Sequence, residues 1–389
     1  MISFQEALNI VLDSPVETKI ERILFYESLG RILAKDVVSD INMPPFNKSA
    51  MDGYAIKKED IEKELTIIET IAAGQTPQKE IVTGTASKIM TGAPVPKGAN
   101  AVVQVELAKA TNNKVKFTGF FKDNIIPAAE DVKIGEVVLK KGQKIDARHI
   151  AVMASVGCTE PLVFKKPKVG IISTGDELVE PNTKPELSQI RNSNGHQLVA
   201  QVMESNAIAE YFGIVEDTYD STYQAIKKGI ETCDVLLLTG GVSMGEFDFV
   251  PQIMTDLGVE ILFDRVAVQP GKPTTFGRKE NKIIFGLPGN PVSSFVQFEI
   301  LVKPLIYKMM GFHYKCPSLK LRMGNIFKRR KADRRAYIPV TISDDSKVYT
   351  SEYHGSAHIH ALPKSNGLII IEIGVETINE GELVDVRLF

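Results

Sequence analysis

The pattern of apolar and polar positions changes twice along the chain. Between about 166 and 311, nearly continuous runs of Val, Ile and Leu alternate with segments whose apolar residues recur at helical spacing. Continuous apolar runs are typical of parallel strands that helices cover on both faces, because such strands have no solvent side. The middle of the chain is therefore predicted to be a doubly wound α/β domain with a parallel sheet.

The predicted strands and helices of this domain follow one another in alternation. Strands are predicted over 168–173, 209–215, 234–241, 259–268 and 282–289. Helices are predicted over 194–205, 220–232, 247–258 and 291–310. Ligands of such sheets bind beyond the carboxyl ends of the strands, so the loops that follow the strands are the first candidates for function.

The flanking regions have a different pattern. The opening stretch MISFQEALNIVLDSP predicts an amphipathic helix and not a signal peptide, and 146–157 predicts a short helix capped by Asp146 and closed by Gly157. The rest of 1–165, and the chain after about 316, consist of short β-like runs between Gly- and Pro-rich turns. Small β domains are therefore expected on both sides of the α/β domain.

Composition narrows the class of protein. A chain of 389 residues suits two to four domains, and 43% apolar with 24% charged residues is typical of a soluble globular protein. A net charge of -2 argues against a nucleic-acid partner. The sequence has no apolar run of about 18 residues, so no membrane-spanning helix is expected. The three cysteines lack ligand-like spacing, so reduced thiols in a cytoplasmic protein are expected.

Polar residues follow the first predicted strand and the segment after it. STGDEL places Asp176 and Glu177 at a strand end, and RNSNG presents Asn192, Ser193 and Asn194 before a helix. These amide and hydroxyl groups can cap the helix, and its amino end can also receive an anion. Caps and turns alone would explain the same residues, so both interpretations stay open.

The loop TGGVSMGEFDFV at 239–250 is more informative. Its glycines allow backbone N–H groups to approach a phosphate, and its serine adds a hydroxyl. The two acids that follow, Glu246 and Asp248, make sense beside a phosphate only if a divalent cation such as Mg²⁺ bridges them. The alternative is a Gly-rich turn with Asp248 as a helix cap; a Walker A loop is excluded because the G-K-[ST] ending is absent.

Two further loops belong to the same set of strand ends. VQPGKPTTFG at 268–277 is interpreted as a stiff turn that carries Lys272, a cation that is either solvated or beside the phosphate. FGLPGNPVSSF ends the last strand, and Pro291 is suited to the first turn of the following helix.

The first β-rich region holds two candidate loops. NMPPFNKSAMDGYAI at 42–56 contains Asp52-Gly53, and IMTGAPVPKGANAVV at 89–103 contains Thr91 before two prolines. A hairpin turn and a rigid turn, respectively, are the simpler explanations. No histidine has a persuasive nucleophile partner, and a metal site at His354, His358 and His360 is the weaker interpretation of their alternation.

Taken together, these motifs resemble one family. PPFNKSAMDGYA, MTGAPVP, STGDEL, RNSNG, TGGVSMGEFDFV, QPGKPTTFG and GLPGNPVSSF stand in the order found in the molybdopterin molybdenumtransferases of the MoeA and gephyrin E-domain family. The resemblance implies an N-terminal linking domain of 1–45 with 132–165, an inserted β domain at 46–131, a molybdopterin-binding α/β domain at 166–311 and a β-barrel-like domain at 312–389.

The resemblance also implies an activity and partners. The family's reaction takes molybdate and adenylylated molybdopterin, is assisted by Mg²⁺, and yields molybdenum cofactor and AMP. It implies a homodimer with the active site between subunits, and a molybdopterin adenylyltransferase as the upstream partner.

The family's functional residues are carried onto matching positions. The implied catalytic residues are Asp52 and Thr91, from the other subunit, with Glu177, Asp217 and Asp248. The metal would be held by Asp248 and Glu246. The implied substrate-binding residues are Gly240, Gly241, Ser243, Gly245, Lys272, Pro288, Gly289, Asn290, Pro291 and Ser356.

Two departures from the family pattern leave alternatives open. The stretch NIIPAAEDV at 124–132 lacks the basic run of many members, and Gln269 stands where some members have Lys. A tungstate-preferring enzyme and a non-catalytic scaffold of the gephyrin type are the alternatives. The complete acid set at Asp52, Glu177, Asp217 and Asp248 favours an enzyme.

Overall fold

A computed structural model describes residues 1–240, 249–351 and 355–389. The chain divides into two compact units: a large unit of residues 1–21, 30–34 and 162–389, and a small unit of residues 22–29 and 35–161. The four domain boundaries expected from the family remain a prediction.

The helices lie close to their predicted positions. They are α1 (Phe4–Asp13), α2 (Ala147–Ser155), α3 (Ser193–Glu204), α4 (Tyr219–Thr232), α5 (Val250–Asp256), α6 (Pro291–Gln297) and α7 (Lys303–Met309), with a π-helical segment, Phe298–Val302, that makes α6 and α7 continuous. Single 3₁₀ turns are Phe25–Ser28, Lys58–Asp60, Val105–Leu107 and Ile359–Ala361. The predicted cap of α2 is confirmed, because Asp146 accepts hydrogen bonds from the N–H groups of Arg148 and His149.

The small unit is built on a sheet of short strands. After β1 (Ile20–Arg22), the strands of residues 35–161 are β2 (Val37–Val38), β3 (Lys48–Ser49), β4 (Gly53–Ile56), β5 (Leu65–Ile71), β6 (Thr85–Ile89), β7 (Ala101–Gln104), β8 (Ala108–Thr111), β9 (Lys114–Phe117), β10 (Ile125–Ile126) and β11 (Val137–Leu139). Six of them form a sheet in the order β7-β4-β6-β5-β9-β8, in which β5 and β6 are parallel.

The Asp52-Gly53 pair is not a hairpin turn. Gly53 begins β4, which pairs antiparallel with both β6 and β7. A Cβ atom on Gly53 would lie 2.1 Å from the carbonyl oxygen of Val103, so glycine is required by the close approach of the two strands and not by a turn.

The large unit contains a six-stranded mixed sheet. The strands of residues 162–287 are β12 (Leu162–Phe164), β13 (Lys168–Thr174), β14 (Leu178–Val179), β15 (Ile190–Arg191), β16 (Ile208–Val215), β17 (Val235–Thr239), β18 (Glu260–Arg265), β19 (Val268–Gln269), β20 (Pro273–Lys279) and β21 (Lys282–Leu287). The sheet order is β16-β13-β17-β21-β20-β18. The strands β16, β13, β17 and β21 are parallel, as predicted.

Two antiparallel strands extend the parallel part of the sheet. The segment interpreted as a loop, 268–277, contains most of β20, which forms a hairpin with β21 and also pairs with β18. The loop interpretation is wrong for this part, because a proline does not always interrupt a strand. Pro273 lies at the first position of β20, where a strand tolerates proline.

Helices cover both faces of this sheet. Ile171 and Leu237 belong to the apolar cluster that includes Leu198 of α3 and Val296 of α6. On the other face, Ile172, Leu236 and Leu238 pack with Ile226 of α4 and Ile253 of α5. Successive residues of one strand are therefore buried on opposite faces, and this explains the continuous apolar runs of the sequence.

The described part of the C-terminal region contains seven strands, five of which close into a barrel. They are β22 (Ser318–Met323), β23 (Phe327–Lys328), β24 (Arg335–Ile342), β25 (Lys347–Thr350), β26 (Gly367–Ile371), β27 (Thr377–Ile378) and β28 (Leu383–Leu388). The pairing order β24-β25-β22-β28-β26 returns to β24, and β19 adds to β24 from outside the ring. The expected β-barrel-like domain is thus confirmed, with an apolar interior that includes Ile338, Ile369 and Val386.

A buried charged cluster joins the barrel to the helices. Glu299, in the π-helical segment, receives hydrogen bonds from Lys303 at 2.9 Å and from Gln201 of α3 at 3.2 Å. Arg387 of β28 donates to the main-chain oxygen of Glu299, and its guanidinium lies 3.9 Å from the Glu299 carboxylate. The three ionic side chains are nearly excluded from solvent, so each depends on the others for its charge balance.

Among the described residues, no helix combines the length and apolar character needed to cross a bilayer.

Candidate active site

A cavity of about 310 Å³ lies at the carboxyl ends of the parallel strands. Its walls come from the loops after β13, β17 and β21, from the amino ends of α3 and α6, and from the segment that follows residue 354. The lining residues are Thr174, Glu177, Leu178, Ile190, Arg191, Asn192, Ser193, Asn194, Thr239, Gly240, Gly289, Asn290, Pro291, Ala357 and Ile359. The strand-end location is where a doubly wound sheet binds its ligands.

Asn194 connects three of these elements. Its amide nitrogen donates to the hydroxyl of Thr239 at 3.0 Å and to the carbonyl oxygen of Gly289 at 2.7 Å. Both acceptors lie at strand ends, so the first turn of α3 is tied to β17 and to the loop after β21. Its Oδ1 is buried and has no hydrogen-bond partner in the described part of the chain, which leaves one acceptor for a ligand donor.

Asn192 caps α3, and further hydrogen bonds fix its own side chain. Its Oδ1 accepts from the N–H of Gly195 at 3.0 Å, and its amide nitrogen donates to Ser173 and to the hydroxyl of Tyr211. Tyr211 donates in turn to Glu180 at 2.7 Å, and Glu180 also contacts His196 at 3.0 Å. The amino end of α3 is therefore fixed by a hydrogen-bonded chain that runs from the cavity to the surface.

Two groups of this hydrogen-bonded network, Tyr211 and Glu180, have shifted pKa values. Burial, reinforced by the neighbouring Glu180 carboxylate, raises the pKa of Tyr211. The hydrogen bond from His196, followed by that from Tyr211, lowers the pKa of Glu180. Tyr211 therefore remains a neutral donor, and Glu180 an acceptor, across the physiological range.

Gly240 stands at the closest point between two strand ends. Its φ angle is +93°, and a Cβ atom would lie 2.1 Å from the main-chain oxygen of Thr174. Only glycine tolerates both the positive φ angle and this close approach. The backbone conformation therefore requires glycine at this position of the cavity. The remaining predicted phosphate and metal residues, Gly241, Ser243, Gly245, Glu246 and Asp248, lie outside the described residues, as does His354.

The Pro-Gly-Asn-Pro loop forms another wall of the cavity. Gly289, Asn290 and Pro291 line the cavity, whereas Pro288 is buried beneath them. Pro291 occupies the first turn of α6, where its missing N–H costs nothing.

Ser356 contacts this loop through its backbone. Its carbonyl oxygen accepts the N–H of Val292 at 3.0 Å, and its neighbour Ala357 lines the cavity. The substrate-binding role of its side chain remains a prediction.

Of the predicted site residues Glu177, Asp217 and Lys272, one lines the cavity and two do not. Glu177 lines the cavity, with its carboxylate against Gly175. Asp217 does not line it; its N–H donates to Asp176 at 3.2 Å. Lys272 is exposed, and its carbonyl oxygen accepts from Val266. The structure thus brings Glu177 together with Gly240, Gly289, Asn290 and Pro291, but not with Lys272 or Asp217.

In the small unit, Asp52 and Thr91 are in direct contact. The N–H and the hydroxyl of Thr91 both donate to Asp52 Oδ1, at 2.6 and 2.7 Å. These two hydrogen bonds, the backbone one first, lower the pKa of Asp52. The two residues were predicted from separate motifs, and they form one carboxylate–hydroxyl pair on the exposed surface.

A Thr91→Val variant should raise the pKa of Asp52, because it removes the hydroxyl donor and keeps the backbone donor. The lowered pKa of Asp52 stabilises the folded state at pH values above the pKa of this group in the unfolded state. That stabilisation is lost as pH falls through the pKa of the group in the folded state. In the variant the stabilisation should be smaller, and its loss should be complete at a higher pH. NMR titration of labelled aspartates measures the pKa of Asp52. Thr85→Val is the control, because the Thr85 hydroxyl donates to the carbonyl oxygen of Val82 and accepts from the N–H of Val82. An unchanged Asp52 titration would contradict the assignment.

The described residues contain no group of three or more His, Cys, Asp or Glu side chains able to hold a metal ion. Glu177 is the carboxylate among the described cavity residues.

Sequence reasoning missed several residues of the cavity. Thr174, Thr239 and Arg191 were not proposed for the site, although each stands at a predicted strand end or just before a predicted helix. The strand-end rule, applied to every polar residue at such positions, would have found them.

Comparison with known proteins identifies the class. Models of the MoeA N-terminal region (domain I and II), of a probable molybdopterin binding domain and of the MoeA C-terminal region (domain IV) match residues 2–157, 170–308 and 325–389. The fold and the strand-end cavity thus define a multidomain protein built around an α/β domain of the molybdopterin-binding type.

Similar proteins specify the family. Molybdopterin molybdenumtransferase of Staphylococcus epidermidis is 35% identical over 100% of this chain and 95% of its own. The enzyme of the same name from Bacillus subtilis is 37% identical over 78% of this chain and 74% of its own. A solved MoeA protein of molybdopterin biosynthesis from Pyrococcus horikoshii OT3 superposes with a TM-score of 0.86 at 31% identity, covering 100% of both chains. The chain belongs to the MoeA family of molybdopterin molybdenumtransferases, enzymes of molybdenum cofactor biosynthesis.

Proposed function

We propose that the protein inserts molybdenum from molybdate into adenylylated molybdopterin and releases AMP, with Mg²⁺ as the assisting cation. The observation that carries this proposal is the cavity at the strand ends, in which Glu177, Gly240 and the Pro-Gly-Asn-Pro loop converge. Its relatives are named for the same transfer.

Each wall of the cavity suits one part of such a substrate. The free Oδ1 of Asn194 accepts a hydrogen bond and therefore suits an N–H donor of the pterin. Gly240 allows the chain to approach a phosphate closely, and the loop that follows it in sequence carries Ser243 and Gly245. Gly289 and Asn290 are exposed and line the cavity, in the wall that we assign to the oxyanion.

The metal proposal rests on the donor set. Glu177, Glu246 and Asp248 offer carboxylate oxygens, the ligands that Mg²⁺ prefers. When bound, the cation would neutralise charge on the phosphoanhydride oxygens. We assign Glu246 and Asp248 to the metal, and Glu177 and Asp217 to the acids around it. Lys272, exposed after the cis Gln269–Pro270 bond, is assigned to the incoming anion.

The deciding experiment mixes purified protein with adenylylated molybdopterin, Mg²⁺ and either molybdate or tungstate, and measures AMP release by chromatography. Release with molybdate supports the proposal, and faster release with tungstate would support the tungstate-preferring alternative. Failure to release AMP with either anion would leave the scaffold alternative. An Asp248→Ala variant with full activity would remove its metal role.

The proposed homodimer has a separate test. If Asp52 and Thr91 act in the site of the partner subunit, Asp52→Ala and Asp248→Ala are each inactive alone. Mixed subunits should then regain a measurable fraction of activity, because one site in each mixed dimer is intact. Light scattering reports the dimer, and a mixture that stays inactive would contradict the shared site.

A further inference from the structure

The charge of the cavity depends on one arginine. Among the described cavity residues, Arg191 is the cation and Glu177 the anion. Arg191 is exposed and forms no ion pair with a described carboxylate; its Nε donates to the carbonyl oxygen of Thr183 at 3.1 Å. That contact orients the guanidinium. Its terminal nitrogens have no hydrogen-bond partner within residues 1–240, 249–351 and 355–389, and they present the fork geometry that matches two phosphate oxygens.

The backbone fixes where Arg191 stands. It belongs to β15, which pairs in parallel with β14, and the next residue, Asn192, is the cap of α3. Because α3 has twelve residues and no acid in its first turn, its amino end favours an anion. The arginine and the helix end are therefore adjacent in the same wall.

An independent observation points to a ligand in this cavity. Thr174 is 2% exposed and lines the cavity, and its hydroxyl has no hydrogen-bond partner among the described residues. A buried hydroxyl without a partner is unfavourable unless a ligand supplies one. A phosphate oxygen accepts such a donor. Glu177, in contrast, repels an anion, so binding there requires Arg191 or a metal to offset its charge.

We propose that Arg191, with the amino end of α3 and the Thr174 hydroxyl, binds a phosphate group of the substrate. This inference rests on the proposed function, and it adds a contact to the Gly-rich loop after β17. Arg191 acts in binding, so its loss should raise KM and leave kcat nearly unchanged.

The test compares the KM for adenylylated molybdopterin of the wild-type protein, Arg191→Gln and Arg191→Lys. Losing a charged hydrogen-bonding partner should raise KM about tenfold in Arg191→Gln, with kcat within about twofold. Arg191→Lys keeps the charge but not the fork of nitrogens, so its KM should lie between that of the wild-type protein and that of Arg191→Gln. Added KCl should raise the wild-type KM more steeply than that of Arg191→Gln.

Arg322 provides the matched control. It is exposed, donates to one main-chain carbonyl, that of Gly381, and does not line the cavity. Arg322→Gln should keep the wild-type KM. A wild-type KM and salt dependence in Arg191→Gln, or a fall in kcat alone, would overturn the inference.

A wild-type protein that releases no AMP overturns the proposed function instead. Calorimetric titration with inorganic pyrophosphate then tests Arg191 directly. Weaker binding by Arg191→Gln than by the wild-type protein and Arg322→Gln supports the phosphate site. Equal binding, or no binding by the wild-type protein, overturns it.

Discussion

A Gly240→Ala variant is expected to fold and to lose kcat/KM by on the order of 100-fold, since small displacements at a site have effects of this size. The added methyl group would stand 2.1 Å from the main-chain oxygen of Thr174, which belongs to the neighbouring strand. No side chain can move aside to relieve this contact. The carboxyl ends of β13 and β17 must separate, and the cavity wall that they share must widen.

The control for this variant is Gly213→Ala. Gly213 also has a positive φ angle, +88°, but a Cβ atom there meets nothing within 4 Å. Both variants carry the backbone strain of an L residue at positive φ, roughly 1–2 kcal/mol, and only Gly240→Ala carries the clash. Equal activities of the two variants in the AMP-release assay would show that the close contact at Gly240 does not matter.

A Glu299→Ala variant is expected to lower the free energy of unfolding by about 3–5 kcal/mol, the usual cost of breaking a buried ion pair. The substitution leaves Lys303 and Arg387 without their carboxylate, although their side chains are only 13% and 12% exposed. Both cations then face each other in a region that water hardly reaches. Glu299→Gln keeps the shape and a hydrogen-bonding oxygen, so its loss should be smaller.

Urea denaturation followed by circular dichroism measures this effect. Glu260→Ala is the control, because Glu260 is 61% exposed and pairs with Arg278 at the surface. Its removal should hardly move the midpoint, since exposed pairs contribute little. If the urea midpoint of Glu299→Ala were as close to the wild-type value as the midpoint of Glu260→Ala, the coupling of the three charges would be refuted.

The α/β architecture could be predicted because it depends on local patterns. Continuous apolar runs such as 168–173 and 234–241 predict strands that are buried on both faces, and β13 and β17 have this environment. The strand β20 could not be predicted in the same way. Its residues follow Gln269-Pro270 and begin with a proline, and only pairing with β18 and β21 makes them a strand.

The candidate site was predicted where function depends on the backbone. Gly240 and the Pro-Gly-Asn-Pro loop are visible in the sequence because glycine and proline encode unusual conformations. The contacts of Asn194 are not visible, because its acceptors, Thr239 and Gly289, are distant in the chain and meet only in the folded sheet. The Asp52–Thr91 hydrogen bonds likewise join two motifs that the sequence separates.

The hydrogen bond from Val292 to the Ser356 carbonyl affects how the protein can be divided for experiments. A fragment limited to residues 166–311 would keep the sheet and both helix ends, but it would lack Ser356, Ala357 and Ile359. Its cavity would be open on that side, and the Val292 N–H would face solvent. Ligand affinities measured on such an excised module would therefore underestimate those of the whole chain.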